Sequence, residues 1–546
     1  MTLKDRQNLI KIEKLLLNWE EACCTRQIDE DESKIKVNKM VKKLGLGYEG
    51  LRIIVDGDRG HNNCYKAIRR ILIRLILMEK RKPENVPRLL IEELIRGDFL
   101  ENNKLPKSDI KIVWRILDKY IVLMNNVSVK ISQTVIGKKI SKRYANKKKK
   151  EINKWLFSLA AREIEKFLAP KKKEEVITKC MYEYIAEQID IDDSSLSEQE
   201  KKIQIYIAVQ RAFLQSDNGT LSYYLFNLEC PNWSNCDEYG LDIIAKKIFT
   251  IQENVERRLK HPINQRLQRI CGKYAVYFII LSDILNKIGA AGFAKLLKDK
   301  PELEKQITET VEGPYKKAKK RVRRGLVSKT LYVFITKSVM VKYPGFNFNF
   351  SNLELLGVLF AGPIIMVAVG FSIMAPPKKN TKKIIKVFNR MFFENRIRTA
   401  QHEVKQVSFP LIKNTIFTII YLATFAVVIF GIYVLLNFIG FRPMTTSIIL
   451  FFFSMIAYFG FCLRAIVRAY VVLDYEENFI GFMFDFISLP ILTIGKSLAW
   501  IANEMNISRW ILDYIIEVPC KTFINFFEHW TLFIREKKED LQKGDY

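Results

Sequence analysis

The stretch GPYKKAKKRVRRGLVSKTLYVFITKSVMVKYPG, Gly313–Gly345, decides how the rest of the chain is read. Seven of the ten residues from Tyr315 to Arg324 are cationic (Lys316, Lys317, Lys319, Lys320, Arg321, Arg323 and Arg324), and the apolar run that follows carries lysines of its own. Three structures fit such a sequence: a nucleic-acid-binding helix, a surface helix of a soluble domain, or the place where a chain enters a bilayer. The choice depends on what lies downstream.

Downstream of Gly345 the sequence is dominated by long apolar runs. LLGVLFAGPIIMVAVGFSIMA, Leu355–Ala375, is uncharged. A run of that length crosses a hydrocarbon core of ~30 Å at ~1.5 Å per helical residue. Its internal Pro363 is tolerable because neighbouring spans can satisfy the freed carbonyl. Thr415–Gly440 and Thr445–Leu463 are further spans, the latter closed by Arg464 and Arg468. Asn478–Gly495 has the length of another but contains Asp485 and Pro490. The last fifty residues alternate apolar and charged positions with helical spacing, as in TFINFFEHWTLFI, and fit helices lying at the interface.

Orientation follows from the loops. Between Ala375 and Asn414 stand Lys378, Lys379, Lys382, Lys383, Lys386, Arg390, Arg396, Arg398, Lys405 and Lys413, against Glu394 and Glu403. The connection after Gly440 carries only Arg442. The positive-inside rule therefore puts the long loop in the cytoplasm and the short one outside. For the basic N-terminal region also to be cytoplasmic, Gly325–Tyr343 must cross outward and Leu355–Ala375 return. Lys329 then snorkels inward and Lys342 outward, while Lys337 lies mid-span and needs a bundle partner or water. The competing geometry is an amphipathic helix on the inner leaflet followed by a re-entrant return. In either case the cationic run is an inner-leaflet anchor, with about 1 kcal/mol per Lys or Arg available from anionic lipid.

Residues 1–312 read as successive helices with polar breaks. The N-terminus is not a signal peptide, since Asp5 and Glu13 interrupt any apolar core; it forms an amphipathic helix with Leu9, Ile12, Leu16 and Trp19 on one face. Ile68–Arg81 is a basic amphipathic helix, Pro87 opens the next helix and Gly97 closes it. Ser108–Asn126 follows after a Ser N-cap candidate, and the lysine-dense run KKISKRYANKKKK precedes a helix that stops before Pro170. IDIDD, Ile189–Asp193, is expected as an acidic capping loop, with Ser197 and Glu200 forming a capping box. SDNGT at Ser216–Thr220 is a further break, and His261–Pro262 opens a long helix.

The chain of 546 residues carries 88 Lys and Arg against 59 Asp and Glu, a net charge of +29. Such a surplus points to an anionic partner: phospholipid headgroups, acidic protein or nucleic acid. Part of the excess accompanies a composition rich in Lys, Ile, Asn, Phe and Tyr. The nine cysteines show no CxxC, and the four histidines (His61, His261, His402 and His529) are dispersed, so no metal or cofactor is expected. Cys230 and Cys236 read as thiols or, if exported, as a local disulfide. VDGDRGHNN, Val55–Asn63, fails the calcium-loop register. Counted from Asp56, neither the glycine of the sharp turn nor the closing bidentate glutamate is in place, and Ala67 stands where that glutamate belongs. Phosphate-binding glycine loops, zinc-protease and hydrolase motifs are all missing, so no catalytic residue is assigned.

PYKKAKKRVRRGLVSKTLYVFITK, FDFISLPILTIGKSLAW and ILDYIIEVPCKTFINFFEHW resemble segments of a group of multi-pass membrane proteins from small, uncultivated bacterial genomes. The resemblance covers mainly residues 310–540. It departs at Thr493 and Ile494, where the group carries a basic residue before the glycine that is here Gly495. It implies a membrane protein and no particular activity.

The expectation is an all-α chain: a basic cytoplasmic region over 1–312 with a break near 190–200, a polytopic transmembrane bundle over 313–495, and interfacial helices over 496–546. Its function is that of a membrane-embedded, envelope-organising scaffold that holds anionic lipid, acidic protein or nucleic acid at the inner face of the cell membrane, alone or as a homo-oligomer. The competing class is a transporter or channel subunit using Asp485 and Lys337, with Arg464 as a further intramembrane polar group.

Overall fold

In the computed structural model the described residues are 3–23, 32–37, 42, 63–137, 142–193, 195–313, 315–316, 320, 323–324, 378–393, 402–405, 411–468, 472 and 489–498, and near the C-terminus 522, 526, 530–531, 533–534 and 536–539. They are helical almost throughout, so the chain is all-α. The helices are α1 (Leu3–Cys23), α2 (Asn63–Ile73), α3 (Val86–Arg96), α4 (Asp109–Gly137), α5 (Lys142–Leu168), α6 (Lys172–Ala186), α7 (Glu198–Phe213), α8 (Asn218–Glu229), α9 (Glu238–Leu259), α10 (Ile263–Leu296), α11 (300–313), α12 (Lys378–Phe393), α13 (Leu411–Phe438), α14 (Pro443–Arg468) and α15 (Leu489–Leu498). Two short strands, β1 (Ile189–Asp192) and β2 (His402–Lys405), complete the regular elements.

The chain divides into two compact units, one of residues 17–271 with 508–546 and the other of 1–16 with 272–507. In the first, α5 is the central helix, packed against α2, α4 and α8. Its sequence explains the position: Ser158, Ala160 and Ala161 are small and buried, which lets neighbouring helices approach closely. Apolar stripes at helical spacing complete the same core: Ile68 and Leu72 on α2 with Leu75 just beyond it, Leu90 and Leu94 on α3, Val113, Leu117, Tyr120 and Val127 on α4, and Ile248 and Val255 on α9. The lysines of the KKKK run occupy the first turns of α5, where Lys147 and Lys150 are solvent-exposed and Lys148 pairs with Glu253 at 3.7 Å.

Local signals act as the sequence suggests. Pro87 sits in the first turn of α3, and the Gly97 N–H closes that helix on Glu93 O at 2.9 Å. The helix expected over Ile68–Arg81 begins at Asn63, and its second half, Arg74–Met78, is a π-helical turn. Arg74 there donates to both oxygens of Glu93 at 2.5 and 2.6 Å, tying the turn to α3. Burial on α1 falls on Leu15 and Trp19, with Leu16 half-buried.

Three expectations are corrected. The helix read as Ser108–Asn126 runs on to Gly137: the two asparagines do not stop it, and the Ser128 hydroxyl beyond them is satisfied within the helix by Met124 O at 2.8 Å. IDIDD is not a capping loop: Ile189 and Ile191 are buried while Asp190 and Asp192 face solvent, the period of a strand. The capping box is half-formed, since Ser197 Oγ accepts from Glu200 N at 3.2 Å but the Glu200 carboxylate turns instead to Arg258.

In the second unit α13 and α14 pack as a helical hairpin. Gly440 makes the turn with φ of 97°, where the Phe441 N–H bonds to Leu436 O and the Gly440 N–H to Asn437 O. This is the glycine-dependent left-handed C-cap, and Pro443 then starts α14 where a missing N–H costs nothing. α10, which breaks at Gly289 (φ of 72°), is also apolar enough to cross a membrane, but half of its apolar window is buried inside the protein; in α13 the apolar window has no buried residue.

Candidate functional site

The basic unit contains a buried polar knot. Glu163 on α5 accepts from Tyr120 Oη at 2.6 Å, from Trp233 Nε1 at 2.6 Å and from Lys119 Nζ at 3.1 Å. Lys119 Nζ also donates to Trp233 O at 3.2 Å and lies 4.7 Å from the centre of the Trp233 ring. Tyr120 and Trp233 are fully buried, and Glu163 is 9% exposed. Burial, followed by the neighbouring Glu163 charge, holds the Tyr120 hydroxyl well above its ordinary pKa, so it remains a donor. The carboxylate is surrounded by donors on both oxygens, an arrangement that fixes the loop Trp233–Asn235 to α4 and α5.

A second knot centres on Arg258 of α9, whose guanidinium pairs with Glu200 on α7 at 2.6 Å and Glu229 on α8 at 2.5 Å. Its carbonyl oxygen accepts from Asn264 Nδ2 at 2.9 Å. Cys64 and Cys230 are poor nucleophiles: burial, with Glu165 next, pushes Cys64 up to about 12, and burial, with Glu229 next, pushes Cys230 up to about 11. Cys230 and Cys236 are free thiols. Among the described residues no three His, Cys, Asp or Glu side chains form a metal-binding group.

The cationic residues named from sequence fall in the second unit. Lys316, Lys320, Arg323 and Arg324 are helical and exposed, and Lys316 pairs with Glu312 at 3.2 Å. Lys317, Lys319 and Arg321 lie outside the described residues, as do Lys337 and Asp485 and the expected spans 325–343 and 355–375. Arg464 is helical within α14, and its side chain is outside the described set.

α12 is held at two points, by Glu304 of α11 and by the helical residue Tyr315 just beyond α11. Asn389 Nδ2 donates to Glu304 Oε1 at 2.7 Å, and Asn380 Nδ2 donates to Tyr315 Oη at 2.6 Å. Residue numbers rise on one side of these contacts and fall on the other, so the helices run antiparallel. Leu303, Ile307 and Val311 are buried on α11, as are Asn380, Ile384 and Phe388 on α12. Asn380 also receives the Val472 N–H at 2.8 Å, while Lys383 Nζ donates to Val472 O at 3.1 Å. At 100° per residue, Lys379, Lys382 and Lys386 fall on the face opposite that buried stripe, and all three are exposed.

The apolar face is built from α13, α14 and α15. On α13, Ile419, Leu422, Val427, Phe430, Leu435 and Phe438 are all more than half exposed and lie along one broad side of the helix, while Tyr421, Phe425, Val428 and Ile432 on the other side are half-buried. Tyr421 Oη donates to Thr493 Oγ1 of α15 at 2.8 Å. Gly495 of α15 sits so close to α14 that a Cβ there would lie 2.2 Å from Ser454 O. Near the C-terminus Phe526, Trp530, Phe533 and Ile534 form an exposed stripe at helical spacing.

Two features escaped sequence reading. The Glu163 knot joins residues 43 and 70 positions apart, each ordinary for its own segment. The lysines of α12 were legible as loop charge, but not as one face of a helix pinned by two asparagines. No family model, curated protein or solved structure matches the chain.

Proposed function

We propose that the chain is a polytopic, non-enzymatic scaffold of the cell membrane, with α13, α14 and α15 in lipid and the basic helical region on the cytoplasmic face, where it gathers anionic partners. The observation that carries the reading is α13, an apolar helix with no buried residue in its apolar window. Each large side chain left in water forgoes roughly 1.5–3 kcal/mol of burial, and six of them on one long helix support cover by lipid. The contacts that α13 and α14 make with α15 are of the kind that serve in lipid, a glycine close approach and an interhelical hydroxyl bond. The stripe from Phe526 to Ile534 fits a helix lying at headgroup depth. The multi-pass arrangement of the group that the sequence resembles points the same way.

Alkaline carbonate extraction of membranes from cells making the full chain tests this. The chain is expected to stay in the pellet after both carbonate and high-salt washes and to leave it only with detergent. Release by carbonate would place it on the membrane surface or free of it and would sink the proposal.

A further inference from the structure

Between α2 and α3 the chain makes a tip that the core stripe of α2 does not explain. Ile68, Ile71, Leu72 and Leu75 are buried at helical spacing, and at 100° per residue Met78, seven positions after Ile71, would return to the same face. It does not, because Arg74–Met78 is a π-helical turn, closed by the Glu79 N–H on Arg74 O at 2.9 Å. An i→i+5 turn rotates less per residue, so Met78 stops short of the core and is 65% exposed, with Leu77 beside it 49% exposed. Among the described residues from 17 to 271, no other two consecutive large apolar side chains are both exposed.

The tip is fixed at both ends. Arg74 donates to both oxygens of Glu93 on α3, and on the far side Val86 and Pro87 are buried. Between these anchors Lys80 takes a left-handed conformation (φ of 48°), which a β-carbon disfavours, and the Arg81 N–H bonds back to Leu75 O at 2.9 Å. Lys80, Arg81 and Lys82 follow the apolar pair closely, and all three are exposed. Glu79 is taken up by Arg81 at 3.0 Å and Arg74 at 3.6 Å, while among the described residues no carboxylate lies within ion-pair distance of Lys80 or Lys82. Glu84, in the short turn Pro83–Asn85, is exposed and offsets part of this charge.

We propose that Leu77 and Met78 insert into the headgroup layer of an anionic bilayer, with Lys80, Arg81 and Lys82 against its phosphates. The pairing of two chemistries on one short tip carries this. The apolar side chains gain by leaving water, the cations gain from anionic headgroups, and the long cationic stems can lie along apolar surface while their charges stay wet. Nucleic acid would use the cations but not the apolar pair, and Ile73–Arg88 contains no aromatic side chain on which a base could stack. The tip also gives up the burial of Met78 and holds Lys80 in a disfavoured conformation, and single π-helical turns recur at functional sites. This inference rests on the reading of the chain as membrane-embedded and adds to it the residues by which the basic unit touches lipid.

The test uses the full chain in nanodiscs of phosphatidylcholine and phosphatidylglycerol, with the photocrosslinking residue benzoylphenylalanine in place of Met78 or, as a control, of Tyr239, an exposed side chain on α9 of the same unit. Irradiation followed by mass spectrometry identifies each adduct as lipid or peptide. Lipid adducts are expected at position 78 and not at 239. The ratio of lipid adduct to unreacted chain should fall about tenfold in Leu77→Ser, which loses one large inserted side chain. It should fall by about tenfold or more in Lys80→Gln/Lys82→Gln, since each cation at an anionic surface is worth about fivefold, and Lys80→Arg/Lys82→Arg should keep the native ratio. These side chains are exposed, so incorporation into the discs should match the native chain. Lipid adducts that are missing at 78, equal at 78 and 239, or unchanged in the embedded Gln variant overturn the tip and leave the membrane reading intact. Adducts from 78 to peptides of this chain overturn it in favour of a protein contact, as do adducts to another protein when intact cells are irradiated. A native chain that does not enter the discs overturns both.

Discussion

Replacing Glu163 with alanine is expected to destabilise the basic helical unit by about 3–5 kcal/mol, a large part of the total stability of an ordinary domain. The loss is not simply that of one ion pair. The variant leaves Lys119, Tyr120 Oη and Trp233 Nε1 without their common acceptor, two of them on fully buried side chains. Trp233 Nε1 keeps Tyr120 Oη at 3.1 Å and Lys119 keeps Trp233 O at 3.2 Å, so the Tyr120 hydroxyl is the donor left stranded, at roughly 1–3 kcal/mol, and the rest of the loss is the unpaired Lys119 charge and the cavity. Glu163→Gln keeps an acceptor oxygen for Tyr120 and Trp233 but loses the charge and puts an amide NH2 where Oε1 accepts from Lys119, so it should cost less than alanine, about 1–2 kcal/mol, with Lys119 turning to Trp233 O. Hydrogen–deuterium exchange on the full chain in detergent reads this locally. The alanine variant should lose protection in peptides from α4 and α5 and around Trp233, and the glutamine variant should lose much less. Equal protection in all three chains would show that the knot contributes nothing. The same site predicts an alkaline weakness. The Tyr120 pKa is raised in the folded state, so its contribution is fully present below the unfolded value of ~10 and drains away as pH rises beyond it, because the unfolded tyrosine ionises while the folded one cannot.

Gly495→Leu is expected to undock α15 from α14. Even the Cβ of alanine would lie 2.2 Å from Ser454 O and 2.6 Å from Tyr458 Cβ, and the first of these is backbone, which cannot swing aside. Alanine must therefore push the helices apart, at a cost of about 1–3 kcal/mol. Leucine adds three more carbons to a contact with no room for one, and the shift also breaks the Tyr421–Thr493 bond of 2.8 Å between α13 and α15. Heating the detergent-solubilised chain and following the monodisperse fraction by size exclusion should show a clear loss of midpoint for Gly495→Ala and no folded fraction for Gly495→Leu. Native behaviour of the leucine variant would mean that α14 and α15 do not meet at this glycine. A third substitution, Thr493→Val, removes the hydroxyl without adding bulk and should have the mildest effect, since interhelical hydroxyl bonds in lipid are worth only about 0.6 kcal/mol on average.

Much of this fold was legible in the sequence because its determinants are local. Pro87, Gly97, Ser197 and the His261–Pro262 pair mark helix ends through backbone chemistry confined to a few residues, and each does so here. The apolar runs Thr415–Gly440 and Thr445–Leu463 become α13 and α14 for the same reason. What was not legible depends on distance in the chain. Nothing in the neighbourhoods of Tyr120, Glu163 or Trp233 signals that they share a proton-donor network, and Asn380 looks like one polar residue in a basic loop until Tyr315 is seen beside it. IDIDD misleads because four residues of alternation are too few to outweigh its acidity, although the buried Ile189 and Ile191 decide the outcome. The candidate site was half visible: the cations could be counted, but the face they occupy is set by helix pairing.

The measurement that most directly tests the central claim is the sidedness of the hairpin. Single cysteines would be placed in an otherwise cysteine-free chain at Asn437, beside the Gly440 turn, and at Thr308, exposed on α11. A membrane-impermeant maleimide is then applied to intact cells. If α13 and α14 cross the bilayer with the basic helices inside, Asn437→Cys is labelled directly and Thr308→Cys only after permeabilisation. Protection of both sites in intact cells, or labelling of both, would contradict a hairpin that spans the membrane from a cytoplasmic basic domain.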